Sequence, residues 1–151
     1  MMRIDLALHQ ARGKPVCVGA GFIALDIVES SVHPFAAAGG SCGNVMAILA
    51  WLGWDAKPVA RIGADWAGEL LTTDMDRAGA DASSLFVEER VKTPIVIERF
   101  VEHASGQRSH RFSLTCPECG AWLPRYRALT ISQVNEFLIQ APRPKRQRHH
   151  H

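Results

Sequence analysis

The segment from Ala38 to Gly53, Ala-Gly-Gly-Ser-Cys-Gly-Asn-Val-Met-Ala-Ile-Leu-Ala-Trp-Leu-Gly, is the stretch that decides the fold. It follows two further alanines, so residues 36–43 are almost all small. From Asn44 onward the apolar residues recur at the three- and four-residue spacing of a helix, and Gly53 supplies a helix stop. The segment therefore predicts a glycine-rich loop over residues 36–43 that leads into a helix.

Strand and helix patterns alternate on both sides of this segment. Before it, Pro15 to Gly19 is a short apolar run typical of a strand that is covered on both faces. After it, Lys57 to Ile62 is predicted as a second strand, and Asp65 is placed to cap a second helix that ends at Gly79. The resulting βαβα order predicts an α/β fold built on a parallel sheet.

The second half of the chain has a different pattern. Two β-rich segments, residues 94–103 and 109–114, flank Ala104-Ser105-Gly106-Gln107, which predicts a hairpin that covers a site as a flap. Thr130 and Gln133 form a capping box for a last helix that runs to Gln140. Pro142 follows this helix and ends it.

Composition excludes several classes of protein. The chain has 151 residues, of which 47% are hydrophobic and 21% charged, as in one ordinary globular domain. No apolar run approaches the roughly 20 residues that span a bilayer, and the start of the chain lacks a signal-peptide pattern. These features predict a cytoplasmic protein without a membrane partner.

The formal net charge of +2 arises in residues 142–151, which hold three arginines, one lysine and no acid. The rest of the chain is slightly acidic, so no nucleic-acid partner is predicted. The histidines at 149–151 resemble a purification-tag remnant, and the segment is treated as a basic tail.

Two short motifs are incomplete matches, one to a dinucleotide-binding site and one to a zinc site. Gly19-Ala20-Gly21-Phe22-Ile23-Ala24 fits the dinucleotide fingerprint, but no acidic residue stands about twenty positions later to hold a ribose. Cys116-Pro117-Glu118-Cys119 would supply two zinc thiolates, whereas structural zinc takes four ligands. The remaining ligands would have to come from another subunit or from the chain's other candidates, which are Cys17, Cys42, His103 and His110. The favoured interpretation is a turn with two reduced thiols, so no metal is predicted.

A stronger combination is Asp26, then Gly39 to Asn44, then Gly63-Ala64-Asp65 with Gly68. A polyol ligand needs fixed acceptors and donors for its hydroxyl groups, and a carboxylate and an amide beside a glycine loop supply both. Each residue alone has an ordinary explanation: a surface acid, a turn or a helix cap. Their order and spacing favour a binding site.

These segments resemble the PfkB carbohydrate kinase family, whose members have a strand followed by Asp, a Gly-Gly-x-x-x-Asn loop and helix, and a later Gly-x-Asp-x-x-Gly. The resemblance covers about residues 15–115, and it implies a partial ribokinase-like (Rossmann-like) three-layer α/β fold with a β-hairpin lid. It implies that Asp26 and Asn44 contact sugar hydroxyls and that Gly39 and Gly40 pack against the sugar. The lid falls within residues 85–115, around Thr93 to Ser113, and residues 1–141 form an N-terminal portion of a kinase domain.

The chain also departs from that family, whose members are longer and carry Gly-Ala-Gly-Asp in their later half. That segment supplies the amides and the base for phosphoryl transfer, and it does not occur in this sequence. We therefore expect no catalytic residue and no nucleotide-binding half in this chain. ATP and Mg²⁺ would act only in a full-length parent.

Three functions follow as hypotheses from these patterns. The first is a PfkB-like sugar or nucleoside kinase polypeptide in a truncated, non-catalytic form. The second is a non-catalytic module that binds a sugar or a protein partner. The third, least favoured, is a zinc-knuckle nucleic-acid binder. The small-molecule partner is a sugar or nucleoside, and self-association through the lid or an exposed sheet edge is a further expectation.

Overall fold

A computed structural model describes residues 13–29 and 33–140, which form a mixed α/β fold. One 3₁₀ turn, Ala82–Ser84, supplements the helices and strands. In chain order these are β1 (Val16–Ala20), β2 (Ala24–Glu29), β3 (Phe35–Gly39), α1 (Gly40–Trp51), β4 (Asp55–Val59), β5 (Arg61–Gly63), α2 (Trp66–Ala78), β6 (Phe86–Glu88), β7 (Ile95–Glu102), β8 (Arg108–Ser113) and α3 (Ile131–Gln140).

The predicted strand and helix around the glycine-rich segment are both present, but the helix begins earlier than predicted. β1 pairs in parallel with β4, and the chain between them contains β2, β3 and α1. α1 begins at Gly40, where the sequence predicted a loop as far as Gly43. Gly40 has φ +77°, and a Cβ there would lie 2.7 Å from the carbonyl oxygen of Phe22. Glycine therefore allows the chain to turn from β3 directly into the helix.

The predicted strand from Lys57 to Ile62 is divided into β4 and β5, which belong to different sheets. β5 pairs in parallel with β6, and the amide of Phe86 donates a hydrogen bond to the carbonyl oxygen of Ala60 at the break. The second helix is as predicted. The Asp65 side chain accepts a hydrogen bond from the Gly68 amide, and Gly79 ends α2 with φ +86°.

A strand pair that the sequence did not predict carries Asp26. β2 and β3 form an antiparallel pair that joins the predicted hairpin of β7 and β8 in one sheet of order β3-β2-β7-β8. Asp26 was placed just past a strand end, whereas it lies inside β2, opposite Val96 of β7. The chain after Gly21 thus enters a strand, although a dinucleotide fingerprint requires a helix there. The dinucleotide interpretation is therefore excluded.

The core lies between this sheet and α2. Alternate residues of β2 and β7 point toward α2, as the two-residue period of a strand requires. They pack with the apolar face of the helix in one cluster that includes Leu25, Ile62, Leu71, Met75 and Ile95. The opposite face of the four-stranded sheet is left free of α2 and carries the polar residues described below.

One face of α1 is exposed and apolar. Val45, Ile48 and Leu52 are more than half exposed, and Trp51 is 82% exposed. Trp51 is therefore outside the core. β1 pairs only with β4 among the described residues, and its Val16 and Val18 are also exposed.

The last described helix follows its predicted cap. The Thr130 amide donates to Oε1 of Gln133 at 2.9 Å, and the Gln133 amide donates to Oγ1 of Thr130 at 3.3 Å. The predicted basic tail, residues 142–151, lies outside the described residues. Within the described part of the chain, every helix is too short or too polar to cross a membrane.

Candidate functional site

A cleft of about 630 Å³ lies on the face of the four-stranded sheet that α2 does not cover. Both hairpins contribute to it, because Asp26 of β2, Val96 and Glu98 of β7 and His110 of β8 point to the same side. Its lining consists of a few polar residues between aromatic side chains: Phe22, Asp26, Phe35, Gly40, Asn44, Glu98, His110 and Phe112. Three of the four predicted site residues therefore line one cleft, and the fourth, Gly39, lies beneath Asp26.

Asp26 is a half-buried acid with an unsatisfied oxygen. Oδ2 accepts a hydrogen bond of 3.3 Å from the Gly40 amide, while Oδ1 is buried and has no hydrogen-bond partner among the described residues. The pKa of Asp26 is raised to about 6, mainly by burial and to a smaller extent by the charge of Glu98 and a hydrogen bond to it, against the lowering effects of the Gly40 amide and His110. A buried polar atom without a partner is rare in native proteins, and such atoms occur at binding and catalytic sites.

Gly39 and Gly40 have explanations within the protein. A Cβ on Gly39 would lie 1.7 Å from Oδ2 of Asp26, so only glycine leaves space for the carboxylate in its observed position. Gly40 provides the positive φ and the close approach to Phe22 described above. The resemblance implies that this pair packs against a sugar, and the geometry adds that Gly39 positions Asp26.

Asn44 lies inside α1 rather than at its start. Its side chain is exposed and lines the same cleft as Asp26. The alternative interpretation of Asn44 as a helix cap is wrong, because Gly39 occupies the cap position. An amide group in this place offers both a donor and an acceptor to a ligand.

Glu98 and His110 are cleft residues that the sequence did not identify. Nε2 of His110 lies 2.9 Å from Oε2 of Glu98, and the His110 ring stacks on Phe100 with centroids 4.8 Å apart. The Phe112 ring also contacts His110, with centroids 4.5 Å apart and a tilt of 48° between the planes. In the sequence His110 was considered as a candidate zinc ligand. The alternation of Val96, Glu98 and Phe100 along one strand was the available signal for an inward-facing acid.

The segment from Gly63 to Gly68, which the sequence grouped with Asp26 and Asn44, makes hydrogen bonds that support the fold. Thr93 is completely buried, and its Oγ1 accepts a hydrogen bond from the Gly63 amide and donates one of 2.7 Å to Oδ1 of Asp65. Asp65 also caps α2 through the Gly68 amide. This group of hydrogen bonds joins β5 and α2 to the segment that leads into the lid strand β7.

The Cys116 to Cys119 segment is a turn. The Gly120 amide donates to the carbonyl oxygen of Cys116, and the Cys116 amide donates to that of Ala121. All four cysteines are free, and the described residues contain no group of three or more potential ligands arranged for a metal ion. The structure does not test whether this turn binds zinc. The expectation that no metal is bound therefore stays a prediction.

The fold is shared with solved structures of sugar kinases. An uncharacterized sugar kinase from Pyrococcus horikoshii matches with a TM-score of 0.57 and 19% identity, over 84% of this chain and 40% of that chain. For 2-dehydro-3-deoxygluconokinase from Thermotoga maritima the TM-score is 0.55 and the identity 20%, over 67% of this chain and 32% of that chain. For fructokinase from Vibrio cholerae they are 0.53 and 21%, over 68% and 34%.

The described residues therefore share part of their α/β fold with these sugar-kinase structures. The chain spans 40% or less of the length of these structures. Neither a protein-family model nor a curated protein matches this sequence.

The raised pKa of Asp26 makes a prediction about stability. The folded state keeps this proton up to about pH 6, whereas the unfolded chain releases it near its ordinary pKa of 3.8. The stability of the wild type therefore falls as pH rises through this window. Asp26→Asn removes the free-energy cost of ionising this partly buried carboxyl. We therefore expect the variant to be more stable than the wild type by about 1–2 kcal/mol at pH 8, a value that allows for solvent screening of the half-exposed group.

Urea unfolding at pH 4 and pH 8 measures this difference. The advantage of Asp26→Asn should shrink at pH 4, where the wild-type carboxyl is protonated in most molecules. Asp76→Asn, which replaces an exposed acid on α2 outside the cleft, is the matched control for the removal of one carboxylate. An equal advantage of Asp26→Asn at both pH values would contradict the assigned cause.

Proposed function

We propose that the cleft binds a sugar or nucleoside and that this chain is the substrate-binding part of an ATP-dependent PfkB-like carbohydrate kinase. The observation that carries the proposal is Asp26, a half-buried acid with an unpartnered oxygen inside a cleft. A protein gains no stability from such a group, and natural proteins keep costly polar groups chiefly at functional sites. The sugar-kinase fold supports the same conclusion at the level of analogy.

The chemistry of the cleft fits a polyol. The Asp26 carboxylate can accept hydrogen bonds from two adjacent hydroxyl groups, and Asn44 can donate one and accept another. The rings of Phe22, Phe35 and Phe112 provide apolar walls for the carbon face of a sugar or for a nucleoside base. The cleft volume of about 630 Å³ lies in the range of small-molecule sites.

Phosphoryl transfer would need residues that this sequence does not contain. Its three partial matches, Gly19-Ala20-Gly21-Phe22, Gly63-Ala64-Asp65 and Gly79-Ala80-Asp81, all lack the complete Gly-Ala-Gly-Asp segment. We therefore propose that ATP and Mg²⁺ act only in a full-length parent. For this chain alone we propose weak ligand binding and no turnover, because amides that stabilise phosphoryl charge and a base are both required.

NMR titration with a panel of pentoses, hexoses and nucleosides tests the proposal. NMR is suitable because it detects binding even at millimolar dissociation constants. At least one ligand should shift the amide signals of Gly40 and Asn44 in a saturable manner. Asp26→Asn keeps the shape of the side chain but removes its charge, and should weaken this binding about tenfold or more. Asp76→Asn, which removes a charge outside the cleft, should bind as the wild type does.

Two results would contradict the proposal. Shifts confined to residues outside the cleft, or an equal loss in both variants, would mean that Asp26 is not a ligand-binding residue. Sugar-dependent ATP consumption that disappears in Asp26→Asn would show that this chain contains its own catalytic groups.

A non-catalytic interaction module is a second candidate, because α1 exposes Ile48 and Trp51 on an apolar face. Self-association through the edge of β1 or the lid stays a prediction in either case. Sedimentation velocity over a range of concentrations measures it.

A further inference from the structure

A second concave surface, here called the basic pocket, lies outside the cleft and has a volume of about 510 Å³. Five cationic side chains and one tryptophan dominate its lining: Arg61, Arg90, Lys92, Arg125, Arg127 and Trp122. The sequence assigned the excess positive charge to the tail, because the rest of the chain has more acids than bases. The fold nevertheless gathers these five cations from three separate segments around one depression.

Most of these cations have no carboxylate partner. Arg61 is neutralised by Glu88, with Nε to Oε1 at 2.8 Å and Nη2 to Oε2 at 3.0 Å. The other four form no ion pair within 4.0 Å with any acid in the described ranges. Asp65 lies near Lys92, but its oxygens accept hydrogen bonds from Gly68 and Thr93. The pocket thus concentrates positive potential that an anion would relieve.

Two of the guanidinium groups are already held in place. Besides its pairing with Glu88, Arg61 donates from Nη1 to the carbonyl oxygen of Ala128 at 3.1 Å. Arg125 lies over Trp122, with Cζ 3.9 Å from the ring centroid. Groups fixed in this way lose less side-chain entropy when they bind a ligand.

We propose that the basic pocket binds the phosphoryl group of a small phosphorylated ligand, a phosphomonoester or an oligophosphate. Planar guanidinium groups pair with phosphate oxygens through two parallel hydrogen bonds, and several uncompensated cations match an anion that carries more than one charge. A single concave depression of this size fits a small molecule, whereas nucleic acids require an extended basic stripe.

One aromatic contact connects the segment that carries Arg125 and Arg127 to the cleft. The Tyr126 ring, between these two arginines in the chain, packs edge-on against Phe22 with centroids 5.8 Å apart. Phe22 lines the cleft. The proposed anion site is therefore a neighbour of the proposed sugar site, but it rests on its own residues and does not require that a sugar binds.

Calorimetry of the full chain with inorganic phosphate and with inorganic triphosphate, at constant ionic strength, tests the proposal. We expect one anion per chain, and about tenfold or more weaker binding in Arg125→Gln and in Arg127→Gln. Arg108→Gln, on β8 and outside the basic pocket, removes the same charge and should bind as the wild type does. Preference for phosphate would indicate a phosphomonoester ligand, and preference for triphosphate an oligophosphate.

A further variant separates the basic pocket from the tail. Replacing Arg143, Lys145, Arg146 and Arg148 together by glutamine should leave anion binding intact, and loss of binding in this variant would overturn the proposal. So would the absence of binding by both anions, or an equal loss in Arg108→Gln. Binding only to a single-stranded oligonucleotide would also overturn it, in favour of a nucleic-acid surface. Thermal unfolding of each variant verifies that it is folded.

Discussion

Gly68→Ala is expected to lower the free energy of unfolding by about 2–3 kcal/mol, although alanine is the better helix former. Gly68 lies in the first turn of α2, where an added Cβ would be 2.2 Å from the carbonyl oxygen of Gly63 and 2.9 Å from Oγ1 of Thr93. The first contact is with backbone, which cannot rotate away. The clash must displace α2 from β5 and disturb the hydrogen bonds that Thr93 makes to both elements.

Gly43→Ala is the matched control for this change. Gly43 is also a buried glycine inside a helix, but its added Cβ would meet the end of the flexible Met75 side chain at 3.1 Å. We expect a change below about 1 kcal/mol, because Met75 can shift while alanine favours the helix. Urea unfolding measures both variants. If both lose the same stability, the architectural role assigned to Gly68 is wrong.

Gly39→Ala is expected to weaken the candidate site by displacing Asp26, although Gly39 itself does not line the cleft. Its Cβ would lie 1.7 Å from Oδ2 and 2.2 Å from Cγ of Asp26, so this side chain must rotate away and lose the Gly40 amide. Gly39 has φ −143°, which alanine adopts freely, so the effect is confined to this contact. The pKa of Asp26 should fall from about 6 toward its ordinary value as the carboxyl enters solvent.

NMR titration of the Asp26 carboxyl measures that change without any ligand. If the proposed sugar binding is correct, Gly39→Ala should also weaken it about tenfold or more. Gly19→Ala is the control, because its Cβ meets the flexible Met46 side chain and does not contact Asp26. If the pKa of Asp26 is unchanged in Gly39→Ala, the inferred clash between the added Cβ and the carboxylate is wrong.

Local signals in the sequence were sufficient for several elements of the fold. The cap at Asp65, the stop at Gly79 and the box at Thr130 each depend on hydrogen bonds within a few residues, and all three are present. β2 and β3 were missed because they depend on distant partners. Ala36, Ala37 and Ala38 have low strand propensity, and β3 is held by pairing with β2, which is itself held by β7.

The candidate site was predictable only in part, for the same reason. The combination of Asp26, Gly39, Gly40 and Asn44 was found from order and spacing, and the fold places these residues around one cleft. Glu98 and His110 were missed because the register of β7 and β8 decides which side chains face Asp26. The basic pocket was missed because it assembles cations that are far apart in the sequence.

The pairing of β2 with β7 has a consequence for the order of events during folding. Asp26 stands opposite Val96, so most of the chain must be synthesised before the sheet that surrounds this carboxyl is complete. Pairing between strands so far apart closes a long loop, which costs entropy and slows folding. Val16 of β1 pairs with Asp55 of β4, 39 residues later, whereas Leu25 of β2 pairs with Ile95 of β7, 70 residues later. The unit of β1, α1 and β4 closes the shorter loop, so we expect it to become protected from hydrogen exchange first. The environment of Asp26 should mature last, with the docking of the β7–β8 hairpin.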